Sequence, residues 1–368
     1  MLSIRSLSML IVAEENPENF LPLSLTRATF ELRYGALCPL DRALIVARET
    51  GQEIGLRARA ELAEYLRAKT GLPVNEDIPE DTEEIIFDGL PFPTPWEILA
   101  HSDKLISADW DLWNRDHRNL RPKRLAGVHI IGHASDIFIG ERAVVQPGCV
   151  LDSSAGPIII AAGAVIKYSQ IQGPVFIGVN CIVDGARLRP GTSLGPHCKV
   201  GGEVSATIFQ SRVNKAHEGF VGHSWAGRWV NFGALATTSN LKNTYGKIRY
   251  QRDASTLIET GAQFLGSLIG DHTKIGIGQL LSTGSNIGVG CNLFGGGVAP
   301  KYIPSFSWGG NCDWQEHDLE LCLKTVHTTL SRRNARLRPS SETVLRDVFA
   351  QTCGEREQFL MKPTYAAV

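Results

Sequence analysis

One feature constrains this chain more than any other: a run of apolar residues six apart. Ile171, Ile177 and Val183 mark it first, and after a one-residue slip Leu188, Leu194 and Val200 continue it. The beat returns at Ile269, Ile275, Leu281, Ile287 and Leu293, and Ile-Gly pairs recur at 139–140, 177–178, 269–270, 275–276 and 287–288. A half-buried strand in an ordinary sheet repeats every two residues and a helix every 3.6, so neither accommodates this period. A period of six with small residues beside the apolar one predicts a parallel β-helix of short strands and tight corners. Three hexads would make one triangular coil, with the apolar residue on the axis and glycine at the corner.

Between Gly201 and Asn240 the beat falters, and polar residues gather: Glu203, Asn214, Lys215, His217, His223, Asn231 and Asn240. A scaffold that breaks its own rule in one place marks a functional site. His223 lies six residues beyond His217, so the repeat predicts that it faces the same side one hexad along.

The flanks have a different texture, which predicts a mixed α/β and all-β chain. Residues 1–125 read as a small α/β domain, 126–310 as the β-helix and 311–368 as a helical extension. MLIVA at 9–13 reads as a buried first strand; the run is too short for a signal peptide, and Glu14 and Glu15 follow at once. Leu44–Ala47 is a second apolar run. RARAELAEYLRAKTG has helical period and stops at Gly71. Ile85–Phe87 reads as another strand, and LPFPTPWEIL as a loop entering a helix. The basic stretch at 114–124, with Arg115, Arg118, Arg121, Lys123 and Arg124, reads as a solvated linker in preference to a polyanion site. DWQEHDLELCLKTVHTTLSRR and SSETVLRDVFAQTC read as helices that close the last coil.

Lys and Arg (37) against Asp and Glu (38) leave a net charge of −1. No global basic field is available for nucleic acid or an anionic membrane. The eight cysteines form no CxxC pair, which argues against a zinc knuckle or a dense disulfide framework and suits reduced thiols in the cytoplasm. No run of about eighteen apolar residues predicts a membrane span.

Several strings carry a resemblance: PLSLTR at 22–27, ARLRPG at 186–191, GGEV at 201–204, NKAHEGF at 214–220, VNFGA at 230–234, TTSNLKN at 237–243 and PSFSWGG at 304–310. Together with the hexads they resemble the hexapeptide-repeat acyltransferases. The match lies with the bifunctional N-acetylglucosamine-1-phosphate uridylyltransferase/glucosamine-1-phosphate acetyltransferase family, in a variant branch with a short N-terminal domain. The resemblance implies a left-handed β-helix, a homotrimer with sites between subunits, and acetyl transfer from acetyl-CoA to an amino-sugar phosphate. His217 falls at the position of the family's catalytic base, a task suited to imidazole. Asn231 and Asn240 fall at asparagines that contact sugar or stabilise an oxyanion. Arg189 and Glu203 fall at substrate-binding positions, with Lys215 beside them and Lys247 near a family lysine.

Two departures bear on the acceptor. Ser205 stands where the family has a lysine, and Phe220 where it has a tyrosine. The N-terminal part also lacks the family's glycine-rich phosphate loop. Arg27 is left as a possible phosphate contact, and Asp109 with Asp111 as a possible Mg²⁺ pair for nucleotidyl transfer. Trimeric zinc chemistry would need three converging histidines, and the spacing of His197, His217, His223 and His272 does not match it. A non-catalytic sugar-nucleotide binder or a trimeric scaffold is the alternative to an enzyme.

Overall fold

The computed structural model describes residues 8–80, 82–116, 125–310 and 313–361. Most of the basic stretch, including Arg118, Arg121, Lys123 and Arg124, lies outside these residues. A small parallel sheet comes first. Strand β1 (Ser8–Ala13) sits between β2 (Glu53–Arg57) and β3 (Glu83–Phe87). Parallel neighbours need crossovers, supplied by α1 (Pro39–Thr50) and α2 (Ala63–Thr70). The apolar run Leu44–Ala47 lies within α1, and α2 ends at Gly71 with φ 70°, as its sequence predicts. Helices α3 (Pro95–Ala100) and α4 (Ser102–Asp116) complete the region.

From His129 the chain winds as a β-solenoid of about ten turns. Three faces recur in order. Val145, Ile166, Val183, Val200, Lys215, Phe232, Ile275 and Leu293 form the inward column of face 1. Face 2 contributes Leu151, Ile171, Leu188, Val204 and Val221, and face 3 contributes Ile160, Ile177, Leu194, Phe209, Ala226, Ile269 and Ile287. Every apolar residue of the six-beat is buried in this axis. The slip has a local cause: faces 1 and 2 run into one strand, Ile182–Leu188, which turns at Gly185 (φ 63°) and shortens the coil.

Glycine of the Ile-Gly pairs serves close approach and not a left-handed turn. A Cβ on Gly288 would lie 2.3 Å from the Ser305 nitrogen of the next coil. The left-handed corner instead falls two residues later, between faces 3 and 1. Arg142, Gly163, Asn180, His197, Arg212, Trp229, His272, Gly290 and Phe306 share φ between 55° and 67° there. Most are not glycine, so the corner accepts backbone strain to place large side chains along one edge.

The outward column of face 3 is unusual. Phe138, Ile159, Phe176, Ser193, Ile208, Trp225, Leu268, Asn286 and Tyr302 stack in register, and all are buried. The N-terminal region covers them. Trp113 of α4 meets the edges of Phe138 and Phe176, and Ser193 Oγ donates to the Gly35 carbonyl (2.6 Å). An excursion between Ser239 and Gly266 adds a hairpin, Arg249–Gln251 with Leu257–Glu259, whose Tyr250 hydroxyl donates to the Leu21 carbonyl (2.8 Å). Burial on both sides explains why the first of these strands, Ile137–Ile139, Ile158–Ile160 and Val175–Ile177, read as unbroken apolar triplets.

The C-terminal segment departs from its sequence reading at its start. Asp313–Glu316 is a strand, antiparallel to Ser307–Gly310, and it closes the sheet edge. Helices α5 (Leu319–Ser331), α6 (Pro339–Gln351) and α7 (Cys353–Leu360) follow. Helix α6 begins at Pro339 without a side-chain cap, so its serines do not start it. Helices α5 and α6 share a core with β1, α1, α2 and the corner residues Trp229 and Phe306, while Phe359 of α7 packs on Trp314.

Candidate functional site

His217 sits at the corner between faces 1 and 2, exposed to solvent. The residue two before it sets this corner. Lys215 points into the solenoid axis between Val200 and Phe232 and is 1 % exposed. Its ammonium donates to the carbonyls of Gly201 and His217, both at 2.7 Å. A buried amine stays in place when its hydrogen bonds are made, and here it pins the backbone under His217. Lys215 is therefore not the substrate-facing lysine that the sequence suggested: its amine faces the axis and bonds the backbone.

Burial lowers the Lys215 pKa to about 8. The folded chain then binds fewer protons than the unfolded chain between about pH 8 and the usual lysine value of 10.5. Stability due to this group rises with pH across that window. Comparing wild type with Lys215→Met by chemical denaturation at several pH values should show wild type gaining on the variant by about 1 kcal/mol per pH unit above pH 8. A difference that stays flat would mean that no buried amine titrates there.

Face 2 beside His217 carries a charged group open to water. Glu203 lies between Arg187 (3.5 Å) and Arg189 (3.4 Å), and Arg187 also approaches Glu218 (3.8 Å). Exposed pairs of this kind contribute little stability, so the cluster is better understood as a set of charges available to a ligand. The sequence reading named Glu203 and Arg189; Arg187 and Glu218, which it did not name, stand in the same cluster. Arg187 stands two before Arg189 in ARLRPG, and alternation along a strand places both on the outer face.

Phe220 pairs in register with Glu203. A Cβ on Gly222 would lie 2.4 Å from the Phe220 ring and 2.7 Å from Asn240 Nδ2, so these groups pack closely. Asn240 Nδ2 lies 2.9 Å from His223 Nδ1, and the His223 ring stacks on Phe264 with centroids 5.0 Å apart. Burial holds His223 near a pKa of about 4, so its ring is neutral at pH 7 and Nδ1 accepts the amide hydrogen. His223 does not share a side with His217. One hexad fills one face, so six residues carry the chain to the next corner.

The other candidates fall elsewhere. Asn231 lies in the outward column of face 1 with Lys199, Asn214 and Lys274, and accepts from Asn214 Nδ2 (2.8 Å). Lys247 is exposed in the excursion, where its carbonyl accepts from Lys242 Nζ (2.5 Å). Arg27 is fully buried and ion-paired to Asp271, so its guanidinium does not face a nucleotide. Asp109 is held by Arg42 (2.7 Å) and the Ala36 amide (2.7 Å), while Asp111 is exposed two residues along α4. The two carboxylates point apart and form no Mg²⁺ pair. Among the described residues no group of three His, Cys, Asp or Glu side chains could hold a metal ion, and no helix is long and apolar enough to cross a membrane.

Above His217 the same corner turns apolar. Leu235, Ile277 and Phe294 are exposed on successive coils at this corner, where Gly278 N–H donates to Ala234 O (2.9 Å) of the coil before. Leu280 and Val298 extend the ridge onto face 2, and all five side chains are exposed, Ile277 to 74 %.

Comparison with protein-family models finds no match, and comparison with curated proteins finds none. Among solved structures, the chain is similar to a UDP-N-acetylglucosamine acyltransferase from Campylobacter jejuni at 12 % identity. That match covers 66 % of this chain and 99 % of the other, with a TM-score of 0.33. It is also similar to PerB from Caulobacter crescentus, solved with CoA and GDP-perosamine, at 14 % identity over 77 % of this chain and 92 % of the other (TM-score 0.20).

Proposed function

We propose that the chain is an acyltransferase that moves an acetyl group from acetyl-CoA to the amine of an amino-sugar phosphate of the glucosamine-1-phosphate kind. The observation that carries this is the His217 corner: an exposed imidazole on a backbone pinned by Lys215, next to an open cluster of Arg187, Arg189 and Glu203. In this reading the arginines take the sugar phosphate, since guanidinium forks suit phosphate oxygens. Glu203 holds the amine. His217 removes its proton as nitrogen attacks the thioester carbonyl, the C–S bond breaks and the thiolate leaves, to be protonated in turn. Nucleotidyl transfer is left out of the proposal, because Arg27 and Asp109 are committed to internal ion pairs.

Among the described residues no side chain orients the His217 ring, and Asn231 lies on face 1. The proposal assigns completion of the site to a neighbouring copy in a homotrimer, docked along the Leu235–Ile277–Phe294 ridge. Ile277→Asp with Leu235→Asp should turn the trimer into folded monomer in sedimentation velocity, and a wild type that sediments as monomer would remove the ridge from the reading. Thiol release from acetyl-CoA with glucosamine-1-phosphate tests the activity itself, and equal rates in wild type and His217→Ala would favour a non-catalytic sugar-nucleotide binder.

A further inference from the structure

We infer that the edge between faces 3 and 1 holds a second ligand site, built for the diphosphate group of a small molecule. Two adjoining cavities, of about 260 and 350 Å³, meet at Arg212 and Trp229 between the solenoid corner and α5–α6. Arg212 and Arg228 enter from corner residues and Lys274 from face 1, while Arg333, Arg336 and Arg338 come from the end of α5 and the loop that follows. One carboxylate lines this space among the described residues, Asp271, and Arg27 already holds it. In a chain of net charge −1 such a concentration of one sign is a local arrangement and not a matter of composition.

The cations are held in place. The Trp229 ring has the Arg212 guanidinium 5.1 Å from its centroid and that of Arg333 at 5.9 Å. Arg333 donates to His197 O (3.0 Å) and Asn214 Oδ1 (3.3 Å), and Lys274 donates to Trp229 O (2.8 Å). These are neutral acceptors, so the charges of Arg333 and Lys274 stay unbalanced, whereas Arg228 is already paired with Glu31 (3.4 Å). His272 lines the same space at 9 % exposure, and its Nδ1 has no hydrogen-bond partner. A buried polar atom without a partner, beside clustered guanidiniums, is a site waiting for oxygen acceptors. The space is walled by helices and holds a few hundred Å³, which suits a small molecule. This site is independent of the acyl-transfer proposal, since His217 stands at the opposite end of face 1. A free nucleotide and the nucleotide end of an acyl donor both carry a diphosphate.

Calorimetric titration of the full chain with UDP and with inorganic pyrophosphate tests the inference. Both should bind with dissociation constants below about 100 µM at low salt and weaken as salt is raised. Arg336→Ala combined with Arg338→Ala changes only exposed loop residues and should weaken both probes at least tenfold, as should Arg333→Ala. His217→Ala should bind them as wild type does, so failure of the acyl-transfer reading would leave this one standing. Displacement of UDP by CoA would assign the site to the donor's nucleotide, and simultaneous binding would assign it to a free nucleotide. Absence of binding by both probes at millimolar concentration, or unchanged binding in both sets of arginine variants, would overturn the inference.

Discussion

Asp271→Ala should lose about 3–5 kcal/mol of unfolding free energy, the cost of leaving a buried charge without its partner. The partner is Arg27, 0 % exposed in its side chain against 6 % for Asp271. Asp271 also accepts from Thr26 Oγ1 (2.9 Å) and the Arg228 amide (2.6 Å), so one carboxylate joins the N-terminal loop to a corner of the solenoid. Arg27 Nε and Nη1 have no acceptor even in the intact chain, which leaves nothing to replace the lost contact. Arg27→Met combined with Asp271→Leu removes both charges and should recover most of the loss. The pH dependence has a definite sign. Burial pushes the Asp271 pKa up, but Arg27 and Arg228 outweigh it and leave it below 3.8. The stabilisation is then present above that value and is lost as pH falls through the lower folded one. Urea denaturation of the three proteins at pH 7 and at several pH values below 3.8 checks both points. A single variant within about 1 kcal/mol of wild type would show that the pair does not tie the two regions together.

His217→Ala should reduce kcat/KM for acetyl transfer by a factor on the order of 10²–10⁴, the usual contribution of a general base. The loss should fall on kcat, because proton removal belongs to the transition state and not to substrate binding. Stability should not change. The side chain is exposed, and the Lys215 bond goes to the backbone carbonyl of residue 217, which alanine keeps. Glu203→Gln should behave differently. It removes the charge between Arg187 and Arg189 and should raise KM for the amino sugar. Steady-state assays over both substrates separate the two effects; a His217→Ala loss confined to KM would make the imidazole a binding group.

The solenoid was legible because each hexad contributes one inward residue, and Ile269 through Leu293 could be placed on the axis by counting. Counting fails where coils depart from six. Gly185 and Gly202 turn corners inside continuous strands, at φ 63° and 69°, so the coils there are shorter. Lys215 illustrates a second limit. It occupies a column that elsewhere holds valine, isoleucine, phenylalanine and leucine, and only its acceptors, the carbonyls of Gly201 and His217, make an amine tolerable there. The strand Glu53–Arg57 was hidden by helix-favouring neighbours in RARAELAEYL, and pairing with β1 decides its conformation. Asn231 lies near His217 in sequence yet on face 1, because the chain has gone almost a full coil between them and brings Asn231 into register with Asn214. Arg336 and Arg338 carried no motif; the cleft that they line exists only once α5 and α6 have packed against the solenoid.

The buried outward column from Phe138 to Tyr302 has a further consequence. A solenoid ordinarily gains stability repeat by repeat, and its ends can fray while its middle holds. Here one flank of nearly every coil is finished by chain from outside the repeats, so no stack of coils is complete until Phe20, Trp96 and Trp113 have arrived. Folding of the repeats thereby becomes dependent on contacts far apart in sequence, which makes a nominally one-dimensional array cooperative. The cut that the hexad pattern suggests near residue 125 would separate a helix from the wall it was shaped to cover.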